Sequence, residues 1–193
     1  MGKVTNVLLV GVGGQGTILA SKVLSLAVLS QGYDVKMNEI HGMSQRGGSV
    51  ITHVRFGEEV NSPIVEPGEA DVIVAFEELE AMRYLPFLKE TGTMIVDSQQ
   101  IHPASVSAGK AQYPANISEK ISKKIDNAVI INAVAKAKEA GNLKAANVVL
   151  LGVLAKELGF PVEAWEKIIE EVVPAKLIEV NKKAFKLGFE AVG

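Results

Sequence analysis

The sequence predicts an α/β fold: a Rossmann-like open, mostly parallel sheet with helices on both faces and a helical C-terminal segment. Three observations predict it. Short aliphatic runs at Val4 to Val10, Val72 to Phe76, Gly92 to Val96 and Ala128 to Asn132 read as strands buried on both faces. Stretches with helical apolar spacing alternate with them, which is the pattern that builds parallel sheets. From Ala133 onward the chain reads as helix, punctuated by Gly141-Asn142, Gly159-Phe160-Pro161 and Pro174.

Taken in order, Val4 to Val10 is the first strand, and Gly11-Val12-Gly13-Gly14-Gln15-Gly16 breaks it. Thr17 to Ser30 follows as a helix with Ile18, Leu19, Val23, Leu24, Leu26 and Ala27 on its apolar face, ended by Gly32. Asp34 to Asn38 is the second strand. Ser49 to Phe56 alternates Val50, Thr52, Val54 and Phe56 against Ile51, His53 and Arg55, as in an antiparallel or near-edge strand with one wetter face. Val60 to Val65 is expected as a short extended return, held to a sheet edge by Pro63. Glu77 to Leu88 is expected as one helix, with Glu77, Glu78 and Glu80 complementing its dipole. Gln99 to Ala115 has no clear period, and Ile117 to Ile125 is helical. The tail divides into Asn147 to Leu158, Val162 to Val173 and Ala175 to Phe189, with the first of these expected in the core. No linker or repeat interrupts residues 1–193, so one domain is expected, its helical tail spanning about 133–193.

Composition narrows the function. Hydrophobic residues make up 48% and charged residues 22%, enough apolar material for a real core. A net charge of −2 argues against a bulk nucleic-acid binder. There is no cysteine, hence no thiolate nucleophile and no thiolate ligand for zinc or an iron–sulfur cluster. No apolar run approaches the ~20 residues of a membrane span, and the N-terminus lacks the features of a signal peptide. A cytoplasmic protein is expected.

Two motifs carry chemistry. Gly11-x-Gly13-x-x-Gly16 sits between a strand and a helix, where glycines permit a tight turn and the first helical amides face an anion. A bound NAD(P), contact with an anion or cofactor tail, and a purely structural turn all remain open. The usual acidic partner of a dinucleotide is misplaced: Asp34 begins its strand, while Glu39 lies beyond the roughly 20-residue spacing. The second motif is the loop His41-Gly42-Met43-Ser44-Gln45-Arg46-Gly47-Gly48. Arg46 can fork onto phosphate or carboxylate, and His41 is a candidate proton carrier. The plainer reading is a solvated loop. Asp97 and Ser98 end a strand in the zone where open α/β sheets bind ligands. His41, His53 and His102 show no metal-ligand spacing.

Together, Gly11 to Gly16 with its Gln15, a strand ending at Glu39, and the loop closing on Arg46-Gly47-Gly48 resemble the gamma-type subunit or domain of the 2-oxoacid:ferredoxin oxidoreductases. The form His41 to Gly48 is most similar to the beta subunit of the indolepyruvate branch. The likeness runs over the whole chain, including Asn147 and Gly152. It implies an accessory catalytic subunit of an enzyme that converts indolepyruvate and coenzyme A to indoleacetyl-CoA and CO2 while reducing ferredoxin. It further implies that thiamine diphosphate and the iron–sulfur clusters sit on a large alpha subunit, with no cofactor bound by this chain alone. Gly11, Gly13, Gly14, Gln15, Gly16, Ser44, Gln45, Arg46, Gly47 and Gly48 would then face that partner or coenzyme A. The isolated chain is expected to be inactive and able to self-associate. Two alternatives stay open: the gamma subunit of a pyruvate, 2-oxoglutarate or 2-ketoisovalerate enzyme, and a stand-alone nucleotide-binding module.

Overall fold

The structure, a computed structural model, describes residues 4–42 and 47–192. Its strands are β1 (Thr5–Val12), β2 (Asp34–His41), β3 (Ser49–Gly57), β4 (Ala70–Ala75), β5 (Leu88–Asp97) and β6 (Ala128–Ile131). Its helices are α1 (Thr17–Ser30), α2 (Glu78–Tyr84), α3 (Ala104–Ser107), α4 (Ile117–Lys124), α5 (Ala133–Ala140), α6 (Ala146–Leu158), α7 (Val162–Val172) and α8 (Ile178–Phe189). The six strands form one sheet in the order β2-β3-β1-β4-β5-β6.

Residues alternate faces along a strand, so a run that is apolar at every position feeds two cores. In β1, Val7 and Leu9 enter one apolar cluster with α1 and α5 to α8, while Leu8 and Val10 enter a second with α2 and α4. β4 divides the same way, Val72 and Val74 against Ile73 and Ala75. The sheet is therefore covered on both faces, as expected. Helix α6 lies in the core: Val148 through Leu151, Val153 and Leu154 are all buried.

β1, β4, β5 and β6 pair in parallel, and β3 runs antiparallel to both β1 and β2. Too few residues separate β2 from β3 for a crossover, so the two strands fold back as a hairpin. β3 docks on β1 from Thr5↔Phe56 to Val12↔Ser49, leaving β2 outside it at the sheet edge. Its antiparallel sense agrees with the sequence pattern; its wetter face does not. Ile51 and His53 are buried because the segment 58–69 crosses over them. There Val65 N–H donates to His53 Nδ1 at 3.1 Å, and Arg55 donates to Asn6 Oδ1 at 2.8 Å and to the Ser62 carbonyl at 3.0 Å. Accordingly Val60 to Val65 forms no strand and covers a sheet face instead of extending an edge. The helix expected over Glu77 to Leu88 also stops early, at Tyr84. Pro86 lacks an N–H and disfavours helix at the residue before it, so Leu85–Phe87 tightens into a 3-10 turn and Leu88 opens β5. Among the described residues, no helix is long and apolar enough to cross a membrane.

Candidate functional site

β1 ends at Val12, and the chain turns through Gly13 to Gly16 into α1. The α1 helix packs on one face of the sheet and α2, reached from β4, on the other. β1 and β4 are thus neighbours whose chains leave in opposite directions, which opens a crevice at their C-terminal ends. The glycine turn lies at this crevice.

The two glycine motifs meet there. Gly13 N–H donates to the Gly48 carbonyl at 2.8 Å, and Gly47 N–H donates to the Gly13 carbonyl at 3.3 Å. The end of the 41–48 loop is thereby fixed to the turn, a juxtaposition that sequence spacing alone does not reveal. Gln15 points into the protein. Its Oε1 accepts from Val12 N–H at 2.7 Å, while its Nε2 donates to the Phe76 carbonyl at 2.6 Å and to Gln99 Oε1 at 2.9 Å. One side chain therefore ties the ends of β1 and β4 to the segment after β5. Gly11 makes room for this: a Cβ there would lie 3.0 Å from Gln15 Oε1 and 3.0 Å from Phe76 Cβ.

Gly16 caps α1 in the left-handed region, at φ 82°. A side chain is disfavoured there by its backbone and also by the buried Asn147, whose Nδ2 would lie 2.5 Å from a Cβ. Asn147 Nδ2 donates to the Gly16 carbonyl at 3.1 Å, and its Oδ1 accepts from Val148 N–H at 2.9 Å. The tail thus braces the turn from 131 positions away in sequence.

On the β5 side, the turn, Phe76, Asp97, Gln99, Lys144 and Asn147 line a cavity of about 740 Å³ whose remaining wall is largely aliphatic. Asp97 Oδ1 accepts from Ala133 N–H at 3.0 Å and so caps α5. Burial pushes its carboxyl up to about 6, against the lowering effect of backbone hydrogen bonds from Ala133 and Gln99. Ser98 uses its backbone N–H on the Ile131 carbonyl at 2.9 Å. A second cavity, of about 450 Å³, opens on the β2 side of the same turn, where Gly13, Gly14, Gly16 and Thr17 face Glu39 and His41. Ser44, Gln45 and Arg46 lie outside the described residues.

Three residues near the cavity wall do more than their sequence pattern indicated. Glu77, Glu78 and Glu80 are buried. Glu77 is the N-cap of α2, accepting from Glu80 N–H at 3.0 Å, and it also accepts from Ile101 N–H at 3.0 Å and from the Tyr113 hydroxyl. Glu78 accepts from Gln100 Nε2 at 2.7 Å and from the Ser118 hydroxyl. These carboxylates order the segment that carries Gln99 and Ile101. They also stand at the start of α2, where they complement its dipole as expected. Burial raises Glu80 above its ordinary range, offset by a hydroxyl from Ser49 and by Arg83. Nothing within residues 77–80 themselves foretold the partners of Glu77 and Glu78, which come from 20 to 40 positions downstream. His102 packs against Tyr113 with the rings tilted by 34° and their centroids 5.2 Å apart. Among the described residues, no group of three His, Asp or Glu could hold a metal.

An open α/β sheet with cavities on both sides of a braced glycine turn places its crevice at the carboxyl ends of its strands, the position where open α/β sheets take ligands. The chain belongs to the pyruvate ferredoxin/flavodoxin oxidoreductase family, whose pattern matches residues 6–191. The indolepyruvate oxidoreductase subunit IorB of Thermococcus kodakarensis is 43% identical over 193 residues, covering 96% of this chain and 95% of that protein. The pyruvate/ketoisovalerate oxidoreductases common subunit gamma of Pyrococcus abyssi is 28% identical, covering 93% and 92%. Among solved structures, the gamma subunit of a keto/oxoacid ferredoxin oxidoreductase from Geobacter sulfurreducens superposes with a TM-score of 0.72 at 26% identity, covering 97% of each chain. The resemblance carried by the two glycine motifs is borne out.

Proposed function

We propose that this chain is the small accessory subunit of an indolepyruvate:ferredoxin oxidoreductase. The complex would convert indolepyruvate and coenzyme A to indoleacetyl-CoA and CO2 and pass two electrons to ferredoxin. The observation that carries this reading is the 43% identity to an indolepyruvate oxidoreductase subunit over nearly the full length of both chains, against 28% for the pyruvate/ketoisovalerate gamma subunit. The chain would act as one gamma-type domain, in the cytoplasm, with its helical tail bracing the glycine turn.

Its residues do not fit an iron–sulfur cluster, because the sequence has no cysteine to ligate one. The clusters and thiamine diphosphate are assigned to a large partner subunit. This chain's part is to present a rigid contact surface: the backbone of Gly13, Gly14, Gly16, Gly47 and Gly48, with Gln15 bracing from within. Ser44, Gln45 and Arg46 directly precede the clasped Gly47-Gly48 in sequence and are proposed contacts as well; the Arg46 guanidinium suits a phosphate of coenzyme A or a partner carboxylate.

Co-expression with the large subunit of an indolepyruvate oxidoreductase tests the reading. A stable complex that reduces ferredoxin with indolepyruvate and coenzyme A, faster than with pyruvate or 2-ketoisovalerate, is the expected result. A chain that remains alone and binds NAD(P) tightly would defeat it. Within the complex, Arg46→Ala should raise the KM for coenzyme A by about tenfold or more, as loss of a charge-assisted contact would.

A further inference from the structure

The cavity on the β2 side of the glycine turn carries an inference that rests on the function proposed above. β2 brings Glu39 and His41 to the same face, two residues apart, each paired across to β3 at Thr52 and Val50. Both line the cavity, as do Gly14 and Thr17 at the start of α1. His41 Nδ1 lies 2.9 Å from the Gly42 carbonyl. A carbonyl can only accept, so Nδ1 carries the proton and the neutral ring keeps its lone pair on Nε2. The ring is exposed, and among the described residues its Nε2 has no hydrogen-bond partner. Among the described residues lining the cavity, Glu39 is the one carboxylate; α1 offers Thr17 and Ile18 there, and β3 offers Val50.

This set differs from that of the larger cavity, where Asp97 is buried and held by backbone N–H groups. An exposed imidazole nitrogen, a carboxylate lining the same cavity, and helix-start amides to favour a nearby anion together suit the ionisation of a thiol. We propose that His41 is a catalytic base that takes the proton from the thiol of coenzyme A. The S–H bond breaks, its electron pair stays on sulfur, and the proton passes to His41 Nε2. The resulting thiolate attacks the acyl carbon held by the partner subunit, and a C–S bond forms as the bond between that carbon and its carrier breaks. His41 then returns its proton to solvent. The two oxidising equivalents belong to the proposed ferredoxin couple, and none is drawn from this chain.

The test uses the assembled complex with coenzyme A and with desulfo-coenzyme A as the thiol-free blank. In the parent, binding of coenzyme A at neutral pH should produce the ultraviolet band of a thiolate, absent with the blank. His41→Gln should lose that band, and its rate of indoleacetyl-CoA formation at neutral pH should drop by about 10²-fold, the usual worth of a general base. That loss should shrink as the pH approaches ~8.5, where a free thiol ionises unaided. Added imidazole should restore His41→Ala, a response that a packing role would not give. If His41→Gln keeps the thiolate band and the parent's pH profile, the inference is overturned while the functional reading stands. If the parent complex makes no indoleacetyl-CoA, the functional reading falls, and this inference with it.

Discussion

Single residues at the turn have separable jobs. Gly16 combines a left-handed backbone with a neighbour that leaves no room for a side chain. Gly16→Ala should therefore cost about 1–2 kcal/mol for the backbone alone, with more for displacing Asn147. Asn147→Ala should cost about 1 kcal/mol, since the Gly16 carbonyl keeps the Ala20 N–H at 3.1 Å. The pair should be less damaging together than the sum of the two, because removing the Asn147 amide clears the space the new methyl needs. Urea midpoints of the four proteins in this cycle measure the coupling, and strict additivity would show that Asn147 does not confine Gly16. Gln15 has a different role. Gln15→Ala unties three chain segments at once and leaves the buried Val12 N–H and Phe76 carbonyl short of partners. It should cost about 2–3 kcal/mol, and it should loosen the coenzyme A affinity of the complex without touching the 41–48 loop directly.

At the scale of elements, the packing of α6 against α8 sets the tail. A Cβ on Gly152 would lie 2.1 Å from the Phe185 carbonyl oxygen, and one on Gly188 would lie 1.9 Å from that of Val149. Both obstacles are backbone, so neither can rotate away. Gly188→Ala should force the helices apart and lower stability by about 3 kcal/mol or more, read as a shifted urea midpoint. An unchanged midpoint would mean that the helices do not meet this closely. The turn should weaken with them, because α6 carries Asn147. The sequence announced these helices by their apolar spacing and punctuation, but it did not announce which glycines touch. Apolar runs likewise placed β1, β4, β5 and β6, because strands buried on both faces need them. What stayed hidden depended on neighbours remote in sequence: β3 inserted between β1 and β2, the 58–69 segment lying over His53, and Glu77 to Glu80 holding the 99–118 segment. For the site, the glycines and His41 were legible as motifs. Their clasp, and the division of the space into two cavities, emerged only once the hairpin had folded back.

For the whole molecule, buried titratable groups make stability depend on pH in opposing directions. Asp97 is pushed up to about 6 by burial, so the folded protein holds a proton that the unfolded chain has released. Stability from this group therefore falls as pH rises from ~4 to 6, and above that the full penalty applies, on the order of 3 kcal/mol. Glu80, also raised by burial, acts in the same sense. His53 opposes them. Burial lowers its affinity for protons, and its Nδ1 is engaged in accepting from Val65 N–H. The unfolded chain takes up a proton below ~6.5 that the folded state resists, so this contribution is lost as pH falls. Between pH 6.5 and 5 the two effects therefore oppose one another and flatten the dependence of the urea midpoint on pH. Asp97→Asn removes the larger acid-side gain while keeping an oxygen for Ala133 N–H, so its midpoint should fall more steeply than the parent's on acidification, with only Glu80 left to oppose His53. A variant whose midpoint follows the parent's through that range would show that Asp97 does not titrate there. Asp97 both caps α5 and lines the larger cavity, so a ligand that offers it a donor should steepen the parent's profile. That links the protonation of the core to occupancy of the crevice.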